Sequence, residues 1–239
     1  MTTGEIRQLI SRAPCNHCDL GPAPTWLVKR AFDVLAPVIA AVCNASLQSG
    51  FFPQSQKLAR VTARLKKPSM DPDDLNSFRP ISNLTFLSKI VERVVTKQFT
   101  SHTALNGLFP ERKSAYHQFH STKSAVLVLH NDIVCAIDRG EMTGLVLLDL
   151  SSAFDTVDHT SLLSILESRL SVTGQSLAWF RSYLTDRAQV FITRSSSTSP
   201  IPLTSGIPQG YGLGPTMFIS YTENISPIFH AHRPISSVC

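Results

Sequence analysis

The chain has 239 residues, 43% hydrophobic and 16% charged, enough apolar material for one large domain or two small ones. Its formal net charge of +5 and sequence pI of about 9.1 suit a nucleic-acid partner without establishing one. Five scattered cysteines exclude a disulfide scaffold and suggest reduced thiols inside a cell, so a cytoplasmic or nuclear location is expected.

"CNHC" at Cys15–Cys18 has the look of half a zinc site, but a closed site needs a second pair and the sequence offers none. The stretch "PTWLVKRAFDVLAPVIAAVCNASLQSG" predicts a helix. Trp26, Leu27, Phe32, Leu35, Ile39 and Val42 fall near helical spacing, Gly50 is the stop, and Pro37 is expected to kink or divide it. No apolar run approaches the ~20 residues of a membrane span, and the N-terminus lacks the pattern of a signal peptide. Neither a membrane partner nor secretion is therefore expected.

"KLARVTARLKK" alternates apolar and basic residues and predicts a strand with one basic face. "PSMDPDDLNSFRP" predicts a loop by its Pro, Asp, Asn and Ser content. "LSKIVERVVTKQF" predicts an amphipathic helix, with Leu87, Ile90, Val91, Val94 and Val95 on one side. A turn-rich stretch spans Asn106–Tyr116. "STKSAVLVLHNDIVCAIDRG" predicts another helix, capped by Ser121 or Thr122 and ended by Gly140.

From Leu145 to Leu150, five of six residues are apolar, which predicts a buried strand interrupted by Asp149. Two short helices, "TSLLSILESRL" and "GQSLAWFRSYL", are expected next. Two strands joined by a Ser-rich turn follow in "AQVFITRSSSTSPIPLTSG". The Gly/Pro loop "GIPQGYGLGP" leads to a last short helix in "PTMFISYTENI". Strands and helices mix without regular alternation or internal repeat, which points to an α+β fold.

A buried, unpaired carboxylate costs several kcal/mol, so Asp149 calls for a partner. An Asp at the end of a rigid strand is a good fixed ligand for magnesium, and paired magnesium ions clamp the oxygens of an in-line phosphoryl transfer. Its bland competitor is a strand-end cap. Asp155 and Asp158 read as orienting the turn or capping the next helix rather than as metal ligands. His117, His120, His130 and His159 show no ligand spacing and read as surface or turn residues. A hydrolase is disfavoured, because neither a G-x-S-x-G elbow nor an H-E-x-x-H helix is present.

"LLDLSSAFDTVDH" followed by "GIPQGYGLGP" resembles motifs A and B of a LINE-type (non-LTR retrotransposon) reverse transcriptase. "SFRPISNLTFLSKIVERVV", "SAYHQFHSTKSAVLVLHNDI" and "WFRSYLTDRAQVF" resemble further segments of that family, in the family's order over nearly the whole chain. The resemblance implies RNA-templated DNA synthesis with an RNA template, a DNA primer, deoxynucleoside triphosphates and Mg2+.

It makes Asp149 the first metal-binding and catalytic aspartate. It places Phe154 under the sugar of the incoming nucleotide, where an aromatic ring would clash with a 2′-hydroxyl. It sets Arg79 on the triphosphate, for which a guanidinium fork is suited, and Gln209 and Gly210 against template and nucleotide. Arg64, Lys66 and Lys67, with Arg60, would track a nucleic-acid backbone. Phe154 as plain core, and the basic residues as a solvated strand face, are the competing readings.

The implied architecture is the fingers and part of the palm of a right-hand polymerase, with an antiparallel palm sheet flanked by helices. Residues 1–55 would be a helical extension, 56–140 the fingers and 141–239 a partial palm. The family's aromatic-Ala-Asp-Asp turn is missing after Gln209; the only Asp-Asp is Asp73-Asp74. Truncation before the catalytic hairpin and thumb, and with it inactivity, is therefore expected. The alternative is a noncatalytic nucleic-acid-binding remnant or domesticated module.

Overall fold

The computed structural model of the chain describes residues 1–13, 25–109, 114, 120–147, 149–150, 152–193, 196–208 and 212–222. The Cys15–Cys18 pair lies outside them, as do Gln209 and Gly210. Helix α1 (Thr3–Arg12) is opened by a capping box in which Thr2 and Glu5 bond reciprocally, and it buries Ile6 and Ile10.

The long predicted helix is two, α2 (Thr25–Arg30) and α3 (Phe32–Ser49). The division falls at Ala31, not at Pro37, which lies inside α3. Pro37 is exposed in the second turn, so the one carbonyl it leaves without an N–H can be met by water. Gly50 ends α3 in the left-handed conformation, φ +66°. The buried side of α3 is Ala36, Ile39, Ala40, Cys43 and Ser46, while Trp26 and Leu27 are exposed, contrary to the stripe expected. Among the described residues α3 is the one helix long and apolar enough to cross a membrane. Its buried side packs on α1, α4 (Phe86–Leu105) and α7 (Gly174–Leu184), as a core helix does.

Strands β1 (Leu58–Leu65), β2 (Phe78–Asn83), β3 (Arg187–Phe191) and β4 (Ile201–Leu203) form one sheet in the order β2-β1-β3-β4. The sheet is mixed: β1 pairs with β3 in parallel, and the other two pairings are antiparallel. Strand β2 falls where the sequence read as loop; Pro80 sits in it because β2 is an edge strand, where a missing N–H costs no ladder bond. Strands β1 and β2 precede residue 140 and β3 and β4 follow it, so one sheet draws on both sides of that position.

The remaining helices are α5 (Thr122–Asp138), α6 (His159–Ser168) and α8 (Leu213–Tyr221). Ser121 caps α5 and Asp158 caps α6 through its bond from the Ser161 amide, 2.8 Å. One core cluster unites α1, α3, α4, α6, α7 and α8.

A polar joint lies within that core. Tyr183 stacks on Trp179 at 5.3 Å, and Phe52 meets both rings edge-on. The buried guanidinium of Arg187 lies 4.9 Å from the Tyr183 ring centre and donates to the Tyr183 carbonyl at 3.0 Å. The Tyr183 hydroxyl donates to Glu92 Oε1 at 2.9 Å. Burial pushes the Glu92 carboxyl up from 4.5 to about 7, against the opposing pull of the Arg187 charge and the Tyr183 hydrogen bond.

A carboxyl whose pKa is raised on folding stabilises the fold fully below its unfolded pKa, and that contribution is lost as pH rises through the folded value. Stability should therefore fall between about pH 5 and pH 8, by on the order of 3 kcal/mol from this group. Glu92→Gln keeps the acceptor for Tyr183 and should remove that part of the slope. Parallel stability–pH curves for the two proteins from denaturant melts would rule this out.

The described residues of Leu145–Leu150 do not form the expected buried strand. Leu145, Val146, Leu147, Asp149 and Leu150 are exposed in irregular backbone, with Val146 at 77% and Leu147 at 82%; Leu148 lies outside the described residues. A strand needs a lateral ladder, and the four described strands pair only with one another. An exposed apolar segment of this kind invites pairing with another chain. The purified protein should self-associate in size-exclusion chromatography. Val146→Lys should raise the monomer fraction and leave the melting temperature unchanged, since the side chain makes no core contact. A lowered melting temperature would mean that Val146 is buried in solution.

Candidate nucleotide and nucleic-acid site

The alternation of β1 sorts its side chains onto two faces. Ala59 and Val61 are buried, so Arg60, Thr62 and Arg64 belong to the other face. The β1–β2 register sets Arg64 directly across from Arg79, and Arg60 across from Asn83. Arg64 and Arg79 are exposed, as are Lys66 and Lys67 just beyond the strand. Like charges directly opposite in a sheet repel, so this pair is costly unless an anion lies over it. The Lys66 amide bonds the Ser77 carbonyl at 2.9 Å and holds the connection to β2 close to the sheet. Lys113 lies outside the described residues.

A second constellation surrounds Phe154. Ser152 takes a positive φ of 54°, and the Asp155 amide returns to the Ser152 carbonyl at 2.8 Å, closing a tight turn. The segment 205–207 lies against that turn. The Ile207 amide donates to the Phe154 carbonyl and the Gly206 amide to the Val157 carbonyl, both at 2.8 Å. Ser205 Oγ reaches the Asp155 carbonyl at 3.3 Å, and His159 Nε2 meets the Gly206 carbonyl at 2.7 Å. The half-buried Phe154 ring rests on Phe218 of α8, centroids 5.2 Å apart. It thus has a backing ring and a backbone fixed on both sides.

Asp149 stands apart from these features. It is exposed rather than buried, so the cost that demanded a partner does not arise. Among the described residues no three His, Cys, Asp or Glu side chains converge where a metal could sit. By themselves the described residues do not fit a magnesium site. Asp158 acts as the cap expected of it. His159, read as a surface or turn residue, is half-buried at the start of α6 and bonded.

Residues 65–236 match the family described as reverse transcriptase (RNA-dependent DNA polymerase). The chain belongs to that family. Among the relatives of this reverse transcriptase chain, a probable RNA-directed DNA polymerase from transposon BS of Drosophila melanogaster is 31% identical over 187 residues, covering 78% of this chain and 20% of that protein. The RNA-directed DNA polymerase from mobile element jockey of Drosophila melanogaster is 26% identical over 242 residues, covering 100% of this chain and 25% of its own length. A probable RNA-directed DNA polymerase from transposon X-element of the same species is 28% identical over 187 residues, covering 78% of this chain and 20% of that protein. The chain thus spans between a fifth and a quarter of the length of these relatives. They bear out the LINE-type, non-LTR resemblance read from the motifs.

The clasp of turn and loop gives a local prediction. Gly206 has φ +86°, and a Cβ there would lie 3.0 Å from the Asp155 Cα and carbonyl oxygen. Gly140 has φ +75° with nothing within 4 Å of such an atom. Gly206→Ala should cost roughly 2–4 kcal/mol, from backbone strain plus collision, and Gly140→Ala only about 1 kcal/mol of strain. Equal losses in denaturant titrations would show that the turn and loop part easily in solution.

Proposed function

We propose that this chain is the nucleotide- and template-holding part of a LINE-type RNA-directed DNA polymerase, and that it does not by itself complete the catalytic metal site. Its partners would be an RNA template, a DNA primer and deoxynucleoside triphosphates. The observation that carries the reading is the Arg64–Arg79 pair on the open face of the sheet, with Arg60 four residues before Arg64 on the same strand face. A polyphosphate or a nucleic-acid backbone relieves that repulsion, and the planar guanidinium fork suits phosphate oxygens.

On this reading Arg79 meets the triphosphate, and Arg64, Lys66 and Lys67 follow the template backbone. Phe154 lies beneath the nucleotide sugar, with Gln209 and Gly210 at the template. The β1–β2 sheet and α4 belong to fingers, and the segment from residue 141 to Phe154 to palm. Family membership supports a Mg2+-dependent ancestral chemistry, with Asp149 as one ligand. Two-metal transfer needs several fixed oxygen ligands, and one exposed carboxylate falls short of that.

Affinity of the purified chain for single-stranded RNA should fall with salt as bound phosphates release counterions. Replacing Arg64, Lys66 and Lys67 together by Ala should flatten the log–log slope by about 2, at roughly 0.7 per lost phosphate contact. An unchanged slope would place these side chains on a merely solvated face. In a parallel primer-extension assay with magnesium, RNA binding without incorporation is expected. Incorporation that vanishes on Asp149→Ala would show that the chain does complete a metal site.

A further inference from the structure

We infer that His159 is a positioning residue, which pins the segment 205–207 to the Phe154 turn so that the aromatic ring and the loop leading into Pro208 move as one body. The inference rests on the nucleotide-site reading only for its consequence, sugar selection; the clasp itself stands on geometry. Four contacts join the two segments, and three of them involve backbone amides or a flexible serine. The fourth is the bond between His159 Nε2 and the Gly206 carbonyl at 2.7 Å. A carbonyl only accepts, so the ring must carry its proton on Nε2.

The position of His159 is itself fixed. It is the first residue of α6, and Asp158 before it caps that helix through the Ser161 amide. Val157, on the other side, is fully buried and accepts from the Gly206 amide at 2.8 Å. The Gly206 peptide is therefore held from both ends, its N–H by Val157 and its C=O by His159. Because a Cβ at Gly206 would collide with Asp155, the two backbones approach as closely as any residue allows. The next residue, Ile207, is buried and bonds the Phe154 carbonyl, so a displacement of the Gly206 peptide is passed directly to Phe154. The Phe154 ring lies on Phe218, from the helix that the same loop enters. His159 thus acts on the sugar-facing ring through the loop, without touching a nucleotide.

The test uses the 239-residue chain with His159→Ala, His159→Gln and His159→Asn. The glutamine amide nitrogen reaches about as far as Nε2, whereas that of asparagine falls a bond short. Amide hydrogen exchange at Gly206 and Ile207, read by NMR, should quicken about fivefold in the Ala and Asn variants, as expected for one lost hydrogen bond, and return towards wild type with Gln. Leu163 and Leu166 amides in α6 report whether the helix itself survives. Should the Ala variant unfold, the contrast of Gln with Asn still decides. Unchanged exchange in Ala, or equal behaviour of Gln and Asn, would overturn the proposal. In competition binding, the preference for a deoxynucleoside over a ribonucleoside triphosphate should narrow in Ala and Asn and recover in Gln. A preference that stays unchanged while exchange quickens would overturn the link to sugar selection. If the wild-type chain binds neither triphosphate, the nucleotide-site reading fails, and the exchange data still settle the clasp.

Discussion

Arg187 sits where the architecture is joined. It opens β3, and its side chain is buried beside the Tyr183 and Phe52 rings, near enough for its charge to lower the Glu92 pKa against burial. A guanidinium carries its charge at any accessible pH, so burying it costs several kcal/mol unless partners surround it. Here two aromatic faces and the Tyr183 carbonyl offset part of that cost, with the Glu92 charge acting at longer range, while Arg187 Nε and Nη2 have no hydrogen-bond partner among the described residues. The same residues fix the geometry between elements. Trp179 donates to Ser46 Oγ at 2.9 Å, and the Phe52 amide donates to Ser182 Oγ at 3.0 Å, tying α7 to the end of α3. With α7 held, the short turn at Thr185–Asp186 delivers β3 alongside β1, a parallel pairing that no hairpin could supply.

That pairing decides which way the basic strand faces. With Ala59 and Val61 on the buried face, Arg60 and Arg64 have only the open side of the sheet left to them. A slip of one residue in β1 would exchange the two sets, burying arginines among apolar side chains. The core therefore enforces the cationic face: the repulsion between Arg64 and Arg79 is tolerated because the alternative register is far costlier. A surface held in an unfavourable charge arrangement by its core is a natural place for an anionic ligand.

Much of this was legible in the sequence where the signal is local. The caps Ser121 and Asp158, the stops Gly50 and Gly140, and the alternation of β1 all depend on neighbours within a few residues. The features that escaped are made by distant partners. Strand β2 hid behind Pro80, and only its edge position makes that residue acceptable. Glu92 reads as an ordinary charge in an amphipathic helix, and its partner Tyr183 lies 91 positions on. His159 lacks ligand spacing because its partner is a backbone carbonyl 47 positions away. The segment from Leu145 to Leu150 misled in the opposite sense: its composition is that of a buried strand, yet strand formation belongs to a pair of segments and not to one.

The two halves of the inferred site differ in how firmly they are built. Around Phe154, ring contact, backbone bonds and a glycine approach fix the geometry from several directions. Asp149 ends a stretch, residues 120–150, in which only Ala125 and Ala136 are buried among the described residues. Catalytic groups must be held within about half an ångström of their working geometry, and side chains are held so only by packed or hydrogen-bonded surroundings. Phe154 has such surroundings within the chain. The exposed Asp149 carboxylate, on irregular backbone outside the sheet, has no such surroundings among the described residues. On the proposed reading, holding a nucleotide and transforming one would rest on different contacts, and among the described residues packing fixes Phe154 and leaves Asp149 exposed.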